Sequence, residues 1–208
     1  MRSGSQWGRF FLTHALSQKE PSPLTPFLED PMTEIYRFRK TGEKQPESLD
    51  YLKKALAIRF PDATIEVYKD NRGRPLTDRE DLWVSASHTG EWVFCGLSDE
   101  PLGIDAQVVT TVRNRDRLVE RFFTKEEADW LKDREEEAFF DLWSRKEAFA
   151  KYTGRGIAYG LQRIPTVTEG APAERIGGVR MTGVKLPDNV FFACAGGKGD
   201  LLWIDVRE

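Results

Sequence analysis

Two α+β subdomains with a ligand cleft between them are the fold this sequence predicts. Three observations lead there. A helical run followed by strand-like segments occurs in each half of the chain. The two cysteine-bearing strand candidates, residues 92–97 and 190–195, lie about half a chain apart. The length, 208 residues with 39% hydrophobic side chains, supplies a core for one large domain or two small ones. The division falls between an N-terminal half, 1–102, and a C-terminal half, 103–208.

Residues 17–47 are rich in proline and charge, with a short helix expected near 34–40. Leu49, Leu52, Leu56 and Phe60 then recur at helical spacing and Pro61 ends the run. Residues 64–68 alternate like a half-buried strand, and a turn follows at Asn71-Arg72-Gly73-Arg74-Pro75. Short strands are expected at 82–86 and 92–97, with residues 87–90 between them. After Ser98-Asp99-Glu100-Pro101 turns the chain, 117–132 reads as helix interrupted at Thr124, with Glu127 at the capping-box position. Residues 138–152 form an amphipathic helix that Thr153-Gly154 terminates. Strands are expected near 164–168, 179–184, 190–195 and 201–206.

A formal net charge of -3 gives no bulk attraction to nucleic acid or to an anionic membrane. Anionic ligands must therefore meet local clusters of Lys and Arg. Cys95 and Cys194 each sit in an apolar run and read as buried free thiols. No stretch approaches the ~18 apolar residues of a membrane span. The first five residues read as a tail, and the chain is expected in the cytoplasm.

Three constellations carry chemistry. In an extended segment Asp105 and Gln107 share a face, so a carboxylate and a second oxygen could bind one hard cation; alone, a strand end with polar residues facing water is the better explanation. On a helix, Trp143, Glu147 and Lys151 fall at successive i+4 positions; alone, a core Trp with a surface ion pair suffices. Ser87 and His88, with Arg74 upstream, could grip a phosphate, or His88 could be an ordinary hydrogen-bonded turn residue.

Together and in this order, these segments resemble the 4'-phosphopantetheinyl transferases, specifically the larger monomeric type acting on peptide synthetase, polyketide synthase and fatty-acid carrier proteins. The resemblance rests on Gly103-Ile104-Asp105, Phe123-Thr124-Lys125-Glu126-Glu127, Trp143-Ser144-Arg145-Lys146-Glu147 with Lys151, and the upstream Gly73-Arg74-Pro75 and Ser87-His88-Thr89-Gly90. It implies a pseudo-twofold fold and a holo-[acyl-carrier-protein] synthase activity: transfer of 4'-phosphopantetheine from coenzyme A to a serine of an apo acyl or peptidyl carrier protein, releasing 3',5'-ADP. It further implies Mg2+ held by Asp105, Glu147 and Gln107; Lys151 on phosphate; Arg74, Ser87 and His88 on the 3'-phosphate; and Glu127 as a helper in deprotonating the serine. Lys146 matches without an evident role.

Many relatives carry an acidic residue where this chain has Gln107, which brings no charge and cannot serve as a base. Arg37, Arg39, Lys40 and Lys44 receive no assignment. Two other readings stay open: a Mg-dependent phosphohydrolase of a nucleotide pyrophosphate, and a non-catalytic coenzyme A-binding protein.

Overall fold

A computed structural model describes residues 33–40, 47–156 and 160–207. Mixed helices and sheets make the fold α+β. In chain order, strand β1 (Thr33–Arg39) leads to helix α1 (Ser48–Arg59), and the short strands β2 (Val67–Lys69) and β3 (Pro75–Thr77) pair as a hairpin. Strands β4 (Trp83–Thr89), β5 (Trp92–Ser98) and β6 (Leu102–Val108) follow. Helices α2 (Arg115–Phe122), α3 (Lys125–Leu131) and α4 (Glu136–Thr153) come next. The remainder is strand: β7 (Val167–Thr168), β8 (Ala171–Pro172), β9 (Arg175–Ile176), β10 (Val179–Leu186), β11 (Val190–Gly196) and β12 (Leu201–Val206).

Two four-stranded sheets dominate, in the orders β12-β1-β5-β4 and β6-β11-β10-β9. The last strand, β12, runs parallel to β1, so the C-terminal segment completes the sheet built mainly by the first half. Across the gap between sheets, β4 lies beside β6 without pairing as a backbone ladder. Hydroxyls on one face of β4 bridge instead: Ser85, Ser87 and Thr89 accept from the backbone N–H groups of Ile104, Ala106 and Val108 at 3.0, 3.1 and 2.8 Å. The seam is stitched by side chains whose spacing matches the period of two on both strands.

The helix expected near 34–40 is strand β1, held between β12 and β5. The reason is burial on both faces. Ile35 packs into the core around Phe94 and Phe192, whereas Tyr36 and Phe38 pack against α1. A strand covered on both sides loses the apolar–polar alternation that marks strands in sequence. Its buried Glu34 accepts from Tyr36 Oη and Arg59 Nε, both at 2.7 Å.

Residues 87–89, expected between strands, lie inside β4, and only Gly90 and Glu91 make the hairpin turn, with Gly90 at φ +51°. Strand 64–68 shortens to β2, and 164–168 to β7. β7 pairs with β8, and in the residues before it side chains take the place of a strand partner: Lys146 Nζ donates to the Leu161 and Ile164 carbonyls, and the Thr166 N–H donates to Glu127. The expected breaks hold elsewhere. Thr124 and Glu127 form a reciprocal capping box opening α3, and Gly154 at φ +65° ends α4. Cys95 and Cys194 are buried free thiols, and burial pushes Cys194 up to about 12. Among the described residues, no helix is long and apolar enough to cross a membrane. Met1–Ser5 and Lys44 lie outside the described residues.

Candidate active site

Helix α4 crosses β6 at Gly103, where any side chain would collide with helix backbone: a Cβ would stand 2.2 Å from the Ala148 oxygen and 2.3 Å from the Tyr152 nitrogen. That close approach sets the helix face carrying Glu147 and Lys151 against the strand face carrying Asp105 and Gln107. At the head of the same helix stripe, Trp143 belongs to an aromatic cluster with Phe122, Phe123 and Phe139.

Asp105 is buried and multiply held. Its Oδ1 accepts from Ser87 Oγ at 2.9 Å and from Lys151 Nζ at 2.8 Å, and its Oδ2 accepts from the Gln107 amide at 3.0 Å. Lys151 Nζ also donates to the Ile104 carbonyl at 2.9 Å and the Ala86 carbonyl at 3.3 Å, pinning the end of α4 to the seam between β6 and β4. Glu147 differs. No hydrogen bond or ion pair reaches its carboxylate among the described residues. Desolvation raises its pKa above the ordinary glutamate value, the charge of Asp105 raises it further, and Lys151 opposes both. Two nearby carboxylates thus share one ammonium that is bonded to only one of them.

These groups suit a hard divalent cation. A half-buried carboxylate with no donor, repelled by a second carboxylate, gains from a cation more than it loses in hydration. Mg2+ retains several waters and is commonly held by one or two carboxylates plus substrate phosphate. No cluster of three or more His, Cys, Asp or Glu side chains placed to hold a metal occurs among the described residues. The donor set here is two carboxylates and an amide.

A cavity of about 720 Å³ opens at Lys151, whose ammonium is bonded to Asp105. The β2–β3 turn, β4 and the end of α4 wall it, and its cations are Lys69, Arg72, Arg74, Lys151 and Arg155, with no acidic side chain in the lining. Arg74 lies over the Trp83 ring at 5.1 Å, and its Nη2 is buried without a hydrogen-bond partner. Arg72 Nη1 donates to the Gly154 carbonyl at 3.3 Å, tying the turn to the cap of α4.

The structure groups the expected anion ligands differently from their order in sequence. Arg74 and Lys151 line the cavity. Ser87 faces β6 and bonds Asp105, whereas His88, the next residue along the strand, points to the opposite side. Partial desolvation lowers the His88 pKa, and the positive charges of Lys40 and Lys151 lower it further. His88 therefore stands in a cationic neighbourhood with Lys40, a residue the sequence left unassigned. Arg37 pairs with Asp205 and Arg39 with Glu91, both on the surface.

Glu127 is also placed differently. It is 1% exposed and its carboxylate accepts from the Thr124 N–H, from the Thr166 N–H and hydroxyl, and from Lys146 Nζ at 2.8 Å. Lys146 is fully buried, and desolvation lowers its pKa. Glu127 and Lys146 form a saturated internal node joining α3, α4 and the segment around Thr166. Such a carboxylate has no lone pair available to a substrate hydroxyl. Lys69, Arg72 and Arg155 escaped the sequence reading; their signal was adjacency to the Gly73 turn and to the Gly154 helix stop.

Residues 101–186 match the family model described as the 4'-phosphopantetheinyl transferase superfamily. The chain is similar to the 4'-phosphopantetheinyl transferase psf-1 of Bacillus pumilus, 38% identical over 97 residues, 44% of this chain and 41% of that protein. Over 104 residues, 48% of this chain and 43% of the relative, it is 33% identical to the 4'-phosphopantetheinyl transferase gsp of Aneurinibacillus migulanus. Over 94 residues, 43% of this chain and 41% of the relative, it is 36% identical to the 4'-phosphopantetheinyl transferase Sfp of Bacillus subtilis (strain 168). The matched stretch spans about two fifths of the length of these relatives.

Proposed function

We propose that this chain transfers 4'-phosphopantetheine from coenzyme A to a serine of an apo acyl or peptidyl carrier protein, with Mg2+ as cofactor. The observation that carries the reading is the unpartnered Glu147 carboxylate near Asp105 and Lys151, with Lys151 also lining a cavity whose charged side chains are all cationic. The family match supports it independently.

Coenzyme A enters as a polyanion, and the cavity offers cations with no opposing carboxylate. Asp105, Glu147 and Gln107 are the residues that would hold Mg2+, which supplies Lewis-acid neutralisation of the pyrophosphate. The serine oxygen forms a bond to the phosphorus bearing pantetheine, the bond from that phosphorus to the bridging oxygen breaks, and 3',5'-ADP leaves with the bridging electrons. Positioning and charge neutralisation dominate such transfers. Lys151 provides positive charge at the carboxylate edge of the cavity. The serine proton is lost to water in the cleft; the saturated Glu127 keeps α3 and α4 in register. The two sheets read as pseudo-twofold counterparts around the cleft, each with one strand before its helical segment and an antiparallel pair after it, and the protein reads as a cytoplasmic monomer. The net charge of -3 argues against nucleic acid or anionic membrane as partner.

Mass spectrometry of several apo carrier proteins after incubation with coenzyme A and Mg2+ tests the reading. Transfer adds one phosphopantetheine to the carrier. Release of phosphopantetheine without any acceptor would instead identify a phosphohydrolase, and binding of coenzyme A without either product would identify a non-catalytic binder.

A further inference from the structure

We infer that Ser87 is a positioning residue for Asp105, fixing a carboxylate of the proposed cation site, and that its hydroxyl does not contact phosphate. Three hydroxyls of β4 accept backbone N–H groups of β6, but only Ser87 passes its own proton to a carboxylate: it donates to Asp105 Oδ1 at 2.9 Å while accepting from Ala106 at 3.1 Å. Both polar functions of the hydroxyl are thereby engaged inside the seam, and the residue is 7% exposed. An oxygen so placed has no donor left for a phosphate in the cavity.

The carboxylate itself is clamped from two sides. Ser87 and Lys151 hold Oδ1 and the Gln107 amide holds Oδ2, so Asp105 cannot rotate about its terminal torsion without breaking at least one bond. Groups that hydrogen-bond a metal-binding carboxylate hold its orientation, and removing them commonly weakens metal affinity by about 10–100-fold. Because β4 belongs to the first sheet and β6 to the second, Ser87 also makes the cation's carboxylate dependent on the alignment of the two halves.

The inference rests on the proposed cation site, and Mn2+ serves as a spectroscopic probe of that site independent of catalysis. Electron paramagnetic resonance titration of the full chain with Mn2+ should show affinity about tenfold weaker in Ser87→Ala. Ser87→Thr should restore it, since Thr89 already makes the same seam bond with a threonine hydroxyl. Thr89→Val removes a seam bond of equal kind without touching Asp105, and should leave Mn2+ affinity within about twofold. Coenzyme A binding in metal-free buffer should be unchanged in Ser87→Ala, and the metal concentration for half-maximal transfer should rise in step with the Mn2+ result. The inference is overturned if the unmodified protein takes up no Mn2+, if Ser87→Ala takes it up as the unmodified protein does, if Thr89→Val weakens it equally, or if Ser87→Ala weakens metal-free coenzyme A binding. Mn2+ uptake that depends on Ser87 in a protein that modifies no carrier would leave this inference standing and remove the transferase reading.

Discussion

Glu147 carries an electrostatic cost that a single substitution can expose. Its folded-state pKa is raised above the ordinary value of 4.5, by desolvation first and the Asp105 charge second. A raised carboxylate pKa means the folded chain binds the proton more tightly than the unfolded chain. The associated stability is fully present below about 4.5 and is lost as pH rises through the folded-state value. Metal-free Glu147→Gln should therefore have a higher Tm than the unmodified protein near pH 7, with the gap closing by about pH 4. Mg2+ should raise the Tm of the unmodified protein and barely alter the variant. Transfer by the variant should fall by about a hundredfold or more, on the order of 3 kcal/mol at the transition state. Calorimetry at both pH values checks the sign; a variant less stable than the original near neutrality would contradict the unpartnered carboxylate. At this scale the placement of Asp105 with Gln107 and of Glu147 with Lys151 was legible, because periods of two on a strand and four on a helix put each pair on one face. Ser87 was not. Adjacency to His88 suggested a joint ligand, whereas strand alternation sends the neighbours to opposite sides. Glu127 misled for another reason: a carboxylate in a capping box looks the same in sequence whether its second oxygen faces solvent or a buried lysine.

Helices α3 and α4 followed their caps in the sequence, and β6 and β11 their apolar runs, so the elements that build the site were the readable ones. The failure at β1 came from burial on both faces, which removes the alternation a strand would otherwise show. What no pattern revealed is how closely α4 approaches β6, yet this contact aligns the site. Gly103→Ala should test it. The added methyl meets helix backbone at 2.2 and 2.3 Å, so the helix, not a flexible side-chain tip, must yield. Overpacking of this kind costs about 1–3 kcal/mol or more, a fall in Tm of roughly 2–12 °C. The displaced helix also loses the contacts of Lys151 to Ile104 and Asp105, so transfer should drop well below normal at temperatures where circular dichroism shows a folded protein. Normal activity and Tm together would mean that α4 does not pack where Gly103 places it.

Over the whole molecule, charge and cleft run against each other. The chain is net -3, and a coenzyme A polyanion approaching at random meets weak repulsion. The cavity reverses that locally with five cations gathered from the β2–β3 turn and the end of α4, segments about 80 residues apart in sequence. Only the folded seam between halves brings them together, which is why the sequence pointed to Arg74 and left Lys69, Arg72 and Arg155 aside. Arg74 is the most informative of the five, since its Nη2 is buried with no hydrogen-bond partner, an arrangement that costs stability unless an anion completes it. If that anion is the 3'-phosphate, the charge-assisted contact is worth ~1.5–3 kcal/mol, and Arg74→Ala should raise the KM for coenzyme A about tenfold or more. The change in kcat should be smaller, because a contact remote from the reacting phosphorus is made equally in ground and transition states. Dephospho-coenzyme A lacks that phosphate, so the two proteins should bind it alike, and the four combinations of protein and ligand measure the coupling directly. Equal weakening toward both ligands would instead make Arg74 a structural residue of the turn, stacked on Trp83, while another cation of the cavity receives the phosphate.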